Sequence, residues 1–422
     1  MILLQRRAQV LPDKKYLNLL LCLGHLFFLI FVFAGLRLLQ AKVVFPAETE
    51  LLNWDAEHYH AISKKGYFGI NVAFFPLLPA IWRLTGFSGY GIALLNAGVF
   101  YAAFLCLAGM LQLRKREILL ILSVPGFLFF YVPYTEALFF AGAVLFLYAL
   151  KKEHFWFLIL SIFLVSFIRP VISILLPALV LTVFIRHKPG DEFYALKTII
   201  WGFISVLPGL IGLAYLQKTQ TGSYFGFITI QAEHWHHYLQ MPSFPLSTWE
   251  NSTRLVLLLD GIGLFIALLC GVKVMQQMWF KYKKPENLLE GYVLFSHFYL
   301  AGCGAAILLF QGGGLINMNR YLFATAFFVV VFKHFANHYK FKPAHFFYLF
   351  GSLEVFWLLF KSYDRLNTFL RLSLASVYYS AILAVFHRSA FVRNTAFAIF
   401  YVTNAVAQMY CLDVFMSGQW IS

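Results

Sequence analysis

The chain alternates long apolar runs with short polar connections. Runs of spanning or near-spanning length fall at about 16–37, 90–112, 118–134, 136–150, 155–168, 171–185, 194–216, 254–279, 288–310, 321–336, 344–361, 372–387 and 394–416. About 20 apolar helical residues cover roughly 30 Å, the hydrocarbon thickness of a bilayer. The pattern therefore predicts an all-α polytopic membrane protein, a bundle of about 11–13 transmembrane helices. The third to sixth runs are short, which suits a re-entrant or tilted pair. The first, from Tyr16 to Leu36, is too long for a signal-peptide core and reads as a retained span.

Two polar intervals are longer than ordinary connections, at about 38–89 and 217–253. Loops of this length are functional or disordered, and their density of Trp, His and Tyr argues against disorder. No soluble domain, low-complexity tail or clear repeat stands out, so residues 1–422 read as a single transmembrane domain. Composition agrees: 61% of residues are hydrophobic and 12% charged, against about 25% charged in soluble domains. The formal net charge is +15, but the bases sit in small groups between apolar runs rather than on one helix or arm. That distribution argues against nucleic-acid binding.

The same groups set an orientation. With a cytoplasmic N-terminus, the N-terminal bases and the alternate connections carry 21 of the 33 Lys and Arg residues. By the positive-inside rule both long intervals then face the lumen or the outside. The compact length and lean loops favour a bacterial inner membrane over the endoplasmic reticulum. The five cysteines each fall within an apolar run and form neither a disulfide framework nor a CxxC metal pair.

The interval 38–89 concentrates chemistry in an otherwise apolar chain. Asn53 suits a helix N-cap, Asp55 and Glu57 its first turn, Lys64 and Lys65 its last, and Gly66 its C-terminal stop. One short interfacial helix over 53–66 is expected, with an aromatic face toward lipid. A second starts after Pro76 and ends near Arg83, before a glycine-rich turn at Gly86, Gly89 and Gly91. Asp55 has two readings: an acid answering the helix dipole, or a base poised on the outer face with Trp54, His58 and Tyr59 beside it. The residues alone leave both open.

Candidate partners are scattered along the chain. Arg169, followed by Pro170, interrupts an apolar region at an outer turn, and Arg320 follows Gly312-Gly313-Gly314 and Asn317-Met318-Asn319. Either can bind phosphate through its fork of donors or anchor at the headgroups. Arg254 and Arg83 are further outer cations, and Lys64 and Lys65 serve phosphate or the helix C-terminus equally well. Glu136, next to Tyr134-Thr135, can orient a cation, bind sugar hydroxyls or act as a helix N-terminal acid. The second long loop holds Glu233, His234, Trp235, His236, His237 and Tyr238. It lacks HExxH spacing, so no metal is assigned, and sugar or lipid-phosphate contact competes with an aromatic belt. Asp260 and Glu354 are intramembrane acids without an assigned role, and Asn251-Ser252-Thr253 matches a glycosylation sequon close to a span.

Trp54-Asp55-Ala56-Glu57-His58, Gly66-Tyr67 and Ala73-Phe74-Phe75-Pro76-Leu77-Leu78-Pro79 together resemble the first luminal loop of the PIG-V family of mannosyltransferases and its bacterial relatives. Fainter echoes lie at Tyr134-Thr135-Glu136 and Arg169. The resemblance implies a GT-C-like bundle and an inverting transfer of a sugar, mannose by likeness, from a polyprenyl-phosphate co-substrate to a glycolipid or glycan hydroxyl. It assigns Asp55 as general base and implies no cofactor. Arg169, Arg320, Lys64 and Lys65 are then candidates for the donor phosphate, and Trp54, His58, Tyr59, Glu136, Trp235, His236 and His237 for sugar or acceptor. The chain departs from many GT-C enzymes in lacking a second acid directly beside Asp55. A non-catalytic subunit of a glycosylation complex, working with accessory subunits, and a lipid or glycolipid transporter are the competing readings.

Overall fold

Within a bilayer the backbone must satisfy its own hydrogen bonds, which drives long apolar sequences into helices. The computed structural model describes residues 14–170, 172–248, 254–360 and 366–421. The chain begins with α1 (Lys14–Leu39) and passes the first long interval through α2 (Glu48–Leu51), α3 (Asp55–Lys65) and α4 (Leu77–Thr85). An up-and-down series follows: α5 (Gly89–Leu111), α6 (Lys115–Leu122), α7 (Glu136–Lys152), α8 (Phe155–Ser166), α9 (Ile172–Arg186) and α10 (Glu192–Thr221). The second long interval carries α11 (Gly226–Glu233). Beyond it lie α12 (Arg254–Lys283), α13 (Gly291–Phe310), α14 (Met318–Phe323), α15 (Ala326–His338), α16 (Pro343–Trp357), α17 (Leu366–Ala381) and α18 (Ala390–Met416).

Among the described residues, seven helices are long and apolar enough to cross a membrane: α1, α5, α10, α12, α13, α17 with its 3-10 extension, and α18. The other expected spans fold as shorter helices, of which α7, with 17 residues, is the longest. The run at 118–134 is not one helix. α6 stops before Pro125, whose ring and missing N–H end the ladder, and a 3-10 turn continues over Pro125–Phe130. The buried Asn96 side chain compensates, donating through Nδ2 to the Val132 and Tyr134 carbonyls at 2.7 and 2.8 Å. Aromatic packing fills the space beside this break, with Phe100 stacked on Phe130 at 3.9 Å.

Charge sorts the two ends of the bundle. Arg114 reaches the Ala336 carbonyl at 3.4 Å, Lys151 that of Met110 at 2.8 Å and Arg186 that of Leu289 at 3.1 Å, while Arg116 bonds Asn394. These contacts join the basic connections to one another at one end. At the opposite end α1 meets α18 through Arg37 and Asp413 at 3.4 Å, and Lys42 bonds the same carboxylate at 2.6 Å. The two long intervals converge on this second end.

Candidate functional site

The first interval folds largely as its local signals require. α3 ends at Gly66, whose φ of 81° favours glycine. α4 starts from Pro76 and stops at Gly86 in the left-handed region. Two expectations fail. Asn53 does not cap α3; its Nδ2 instead donates to the Glu50 and Phe415 carbonyls, both at 2.9 Å, and to that of Met416 at 3.3 Å. It thereby ties the end of α2 to the last carbonyls of α18. Nor does the aromatic face of α3 meet lipid: Tyr59 is buried with Leu78, Trp82 and Ile92 and lies edge-on to Phe74 at 5.1 Å. α4 covers the stripe that the sequence left open.

The N-cap position falls to Trp54, with φ 57° and ψ −125°. A non-glycine residue held there costs roughly 1–3 kcal/mol and persists only where its surroundings impose it. They do so here, because the indole packs edge-on against Trp420 at 4.8 Å while Asn53 fixes the preceding backbone. The turn aims Asp55 inward, and its backbone N–H donates to the Tyr134 hydroxyl at 3.3 Å.

Asp55 meets the sequence-predicted cations in a chain of charges. Arg320 Nη1 donates to Asp55 Oδ2 at 2.7 Å. Its Nε bonds Glu136 Oε1, and the same oxygen accepts from Arg169 Nη2 at 2.5 Å. The side chains of Glu136, Arg320 and Arg169 are 0%, 2% and 4% exposed, whereas that of Asp55 is 21% exposed. Two acids and two bases therefore balance, with Asp55 at the open edge. Rings enclose the cations: Tyr134 lies 4.4 Å from the Arg320 guanidinium and Tyr321 lies 4.9 Å from that of Arg169. Such contacts favour a desolvated cation. Within this cluster Glu136 Oε2 and Arg169 Nη1 are buried with no hydrogen-bond partner among the described residues, an arrangement rare in native interiors.

Distant segments hold the cluster in place. Leu77 N donates to the Phe167 carbonyl at 3.1 Å, tying the turn before Arg169 to the start of α4. The buried Asp260 on α12 accepts from Asn319 N and Nδ2 at 2.9 and 2.7 Å, and from Thr248 Oγ1 at 2.9 Å. Asp260 thus fixes the helix turn bearing Arg320 and joins it to the second long interval. Asn319 also donates to the Ile421 carbonyl at 3.4 Å. The sequence gives no role to Asn319, Tyr321 or Trp420. The intramembrane position of Asp260 was a signal for that link, but its partners lie in other segments.

The glycine-rich loop before Arg320 is tied to the second long interval. Ser243 N donates to the Gly312 carbonyl at 2.9 Å, and Leu315 N to that of Ser247 at 2.8 Å. Gly313 has φ 98°, and a Cβ there would lie 2.4 Å from the Ser243 carbonyl oxygen. Gly313→Ala is expected to cost about 2 kcal/mol through backbone strain and displacement of Ser243. A lowered thermal midpoint and faster proteolysis near 239–248 would report it; wild-type behaviour in both would refute the pairing.

Other candidates lie apart from the charge cluster. Lys64, Lys65, Arg83 and Glu57 are exposed. His58 stacks on Phe74 at 4.7 Å, and Trp235 meets the same ring edge-on at 6.2 Å, so the two long intervals do share an aromatic wall. Burial holds the His58 imidazole below its ordinary pKa against the pull of Asp55 and Glu57, which leaves it neutral at pH 7. His236 is exposed, and His237 Nδ1 contacts Gln231 Oε1 at 2.6 Å instead of the carboxylates. Glu354 accepts from Ser373 at 3.0 Å. The side chain of Arg254 and the sequon 251–253 lie outside the described residues. All five cysteines are free, and among the described residues no group of three His, Cys, Asp or Glu side chains is placed to hold a metal ion.

Fold and site together define a polytopic helical membrane protein with a buried ion-pair chain at one end, opening at Asp55. Comparison of the chain with protein-family models, with curated proteins and with solved structures finds no match in any of the three.

Proposed function

We propose that the protein is an inverting glycosyltransferase of GT-C type, moving a sugar, mannose by its resemblance to the PIG-V loop, from a polyprenyl phosphate to an acceptor hydroxyl on the extracytoplasmic face. One observation carries the reading. Asp55, which the resemblance assigns as base, and Arg320, one of four candidates for the donor phosphate, lie 265 positions apart and form one ion pair at 2.7 Å.

The geometry suits such a reaction. A hydroxyl attacking an anomeric carbon needs a base within hydrogen-bond reach, and Asp55 is the only member of the cluster substantially open to a ligand. The leaving phosphate gathers negative charge, which fixed guanidinium groups stabilise best. Glu136 occupies Arg320 Nε and Arg169 Nη2, leaving Arg320 Nη1 on Asp55 and Arg169 Nη1 without a partner among the described residues. An arriving phosphate competes with Asp55 for Arg320 Nη1 and, by taking it, frees Asp55 Oδ2 to accept from the acceptor hydroxyl. Donor binding and release of the base are thereby coupled. Trp235, His58 and Phe74 supply aromatic faces and polar edges beside α3 for sugar or acceptor.

The test is to incubate purified protein with labelled polyprenyl-phosphate-mannose and a panel of glycolipid and glycan acceptors, and to identify products by mass spectrometry. A transferred hexose with inverted anomeric configuration is expected. Failure with every polyprenyl-phosphate sugar would overturn the proposal in favour of a non-catalytic subunit.

A further inference from the structure

The end of the bundle remote from Asp55 carries a second feature that the transfer reaction does not use. α15 runs away from Arg320, and α18 starts at Ala390 and returns over 27 residues to Met416 beside Asn53, roughly 40 Å at the helical rise. The 339–342 connection and the 387–389 turn therefore sit far from the charge cluster. Between them lies a cavity of about 350 Å³ lined by Phe341, Lys342, Pro343, His387 and Arg388. Phe341 and Pro343 also border a second hollow of about 370 Å³, walled by Phe346, Phe347, Ser380, Ala381 and Ala384.

The two parts differ in chemistry. The mouth holds Lys342 and Arg388, both exposed, and among the described residues no carboxylate pairs with either. Its floor is built: His387 packs on Phe341 at 5.0 Å, and Arg393 Nη1 donates to the His387 and Arg388 carbonyls at 3.3 and 3.2 Å. The inner hollow has no charge. Among the described residues its lining has one side-chain polar atom, the buried Ser380 Oγ, which has no hydrogen-bond partner among them. Phe347, 69% exposed, flanks this trough along α16.

We infer that this groove binds a phospholipid with an anionic headgroup, Lys342 and Arg388 taking the phosphate and the Phe346–Ala384 trough taking the first part of an acyl chain. Unneutralised cations at the mouth of an interhelical slot match a lipid phosphate in charge. The adjoining uncharged trough matches the chain, which a soluble anion does not have. The site also falls at the end where the basic connections gather, the end an anionic leaflet attracts. The inference stands apart from the proposed transfer reaction.

Native mass spectrometry of the full-length chain in detergent, titrated with phosphatidylglycerol and with phosphatidylcholine of the same acyl chains, tests it. Phosphatidylglycerol adducts are expected to dominate. The Lys342→Glu/Arg388→Glu variant is expected to lose about tenfold in phosphatidylglycerol affinity and its preference over phosphatidylcholine. Ala384→Phe, which fills the trough and leaves every charge, is expected to weaken binding of both lipids. Lys342→Gln replaces the charge reversal should that variant not fold. Glycerol 3-phosphate at matched concentration should not displace the lipid. Equal occupancy by the two lipids, a preference unchanged in the charge variants, undiminished binding to Ala384→Phe, or displacement by glycerol 3-phosphate would each overturn the assignment.

Discussion

Glu136→Ala is expected to destabilise the protein by about 3–5 kcal/mol, the cost of stranding buried charge. In the native fold one carboxylate oxygen faces both Arg320 and Arg169, and all three side chains are almost fully withdrawn from water. Removing the acid leaves two adjacent guanidinium groups with only Asp55 to answer them. Arginine cannot shed its proton to escape, since it stays charged under any condition a protein survives. The loss should appear as a lower thermal midpoint at fixed heating rate in detergent and as a poor yield of monodisperse protein. Removing one cation as well, in Glu136→Ala/Arg169→Met, should recover part of it, because apolar replacement of a buried pair is commonly near neutral. A Glu136→Ala protein as stable as the wild type, or a double variant no better than the single, would show that the cluster is not what holds α7, α14 and the turn at Arg169 together.

Asp55→Asn is expected to reduce sugar transfer by about 10²–10⁴, the usual contribution of a general base, while leaving the fold intact. Asparagine is isosteric and its amide oxygen can still accept from Arg320 Nη1, so the pair at the open edge is weakened rather than emptied. Because Asp55 is the partly exposed member, a small change in thermal midpoint is expected, in contrast to Glu136→Ala. The two variants thus separate a chemical role from an architectural one within a single hydrogen-bonded chain. Wild-type transfer rates in well-folded Asp55→Asn would remove Asp55 from the base role and leave its carboxylate as a partner for Arg320 alone.

Much of the first interval was legible because its signals are local. Gly66 and Gly86 stop helices by their own backbone freedom, and Pro76 starts one by its fixed φ, whatever surrounds them. Asn53 was misread for the complementary reason. A side chain that suits a cap suits any nearby pair of carbonyls, and here those belong to α18. The aromatic face of α3 was assigned to lipid because lipid and a protein interior are equally apolar. Only the placement of α4 and Phe74 separates them. The run at 118–134 looked continuous because hydropathy averages over Pro125 and Gly126, which break the helix at one point.

The sequence by itself determined that the chain is helical and membrane-embedded, where its bases gather, and which few charged residues interrupt the oil. Hydropathy, helix signals and charge are properties of neighbouring residues, so a linear reading suffices for them. Tertiary structure alone decided that Asp55, Glu136, Arg169 and Arg320 form one chain while Lys64, Lys65 and Arg83 stand outside it. It also made Asp260 the anchor of Asn319 rather than an isolated acid. A buried charge is stable only beside its complement, and that complement comes from whichever helix the packing brings near, at a distance along the chain that no periodicity records.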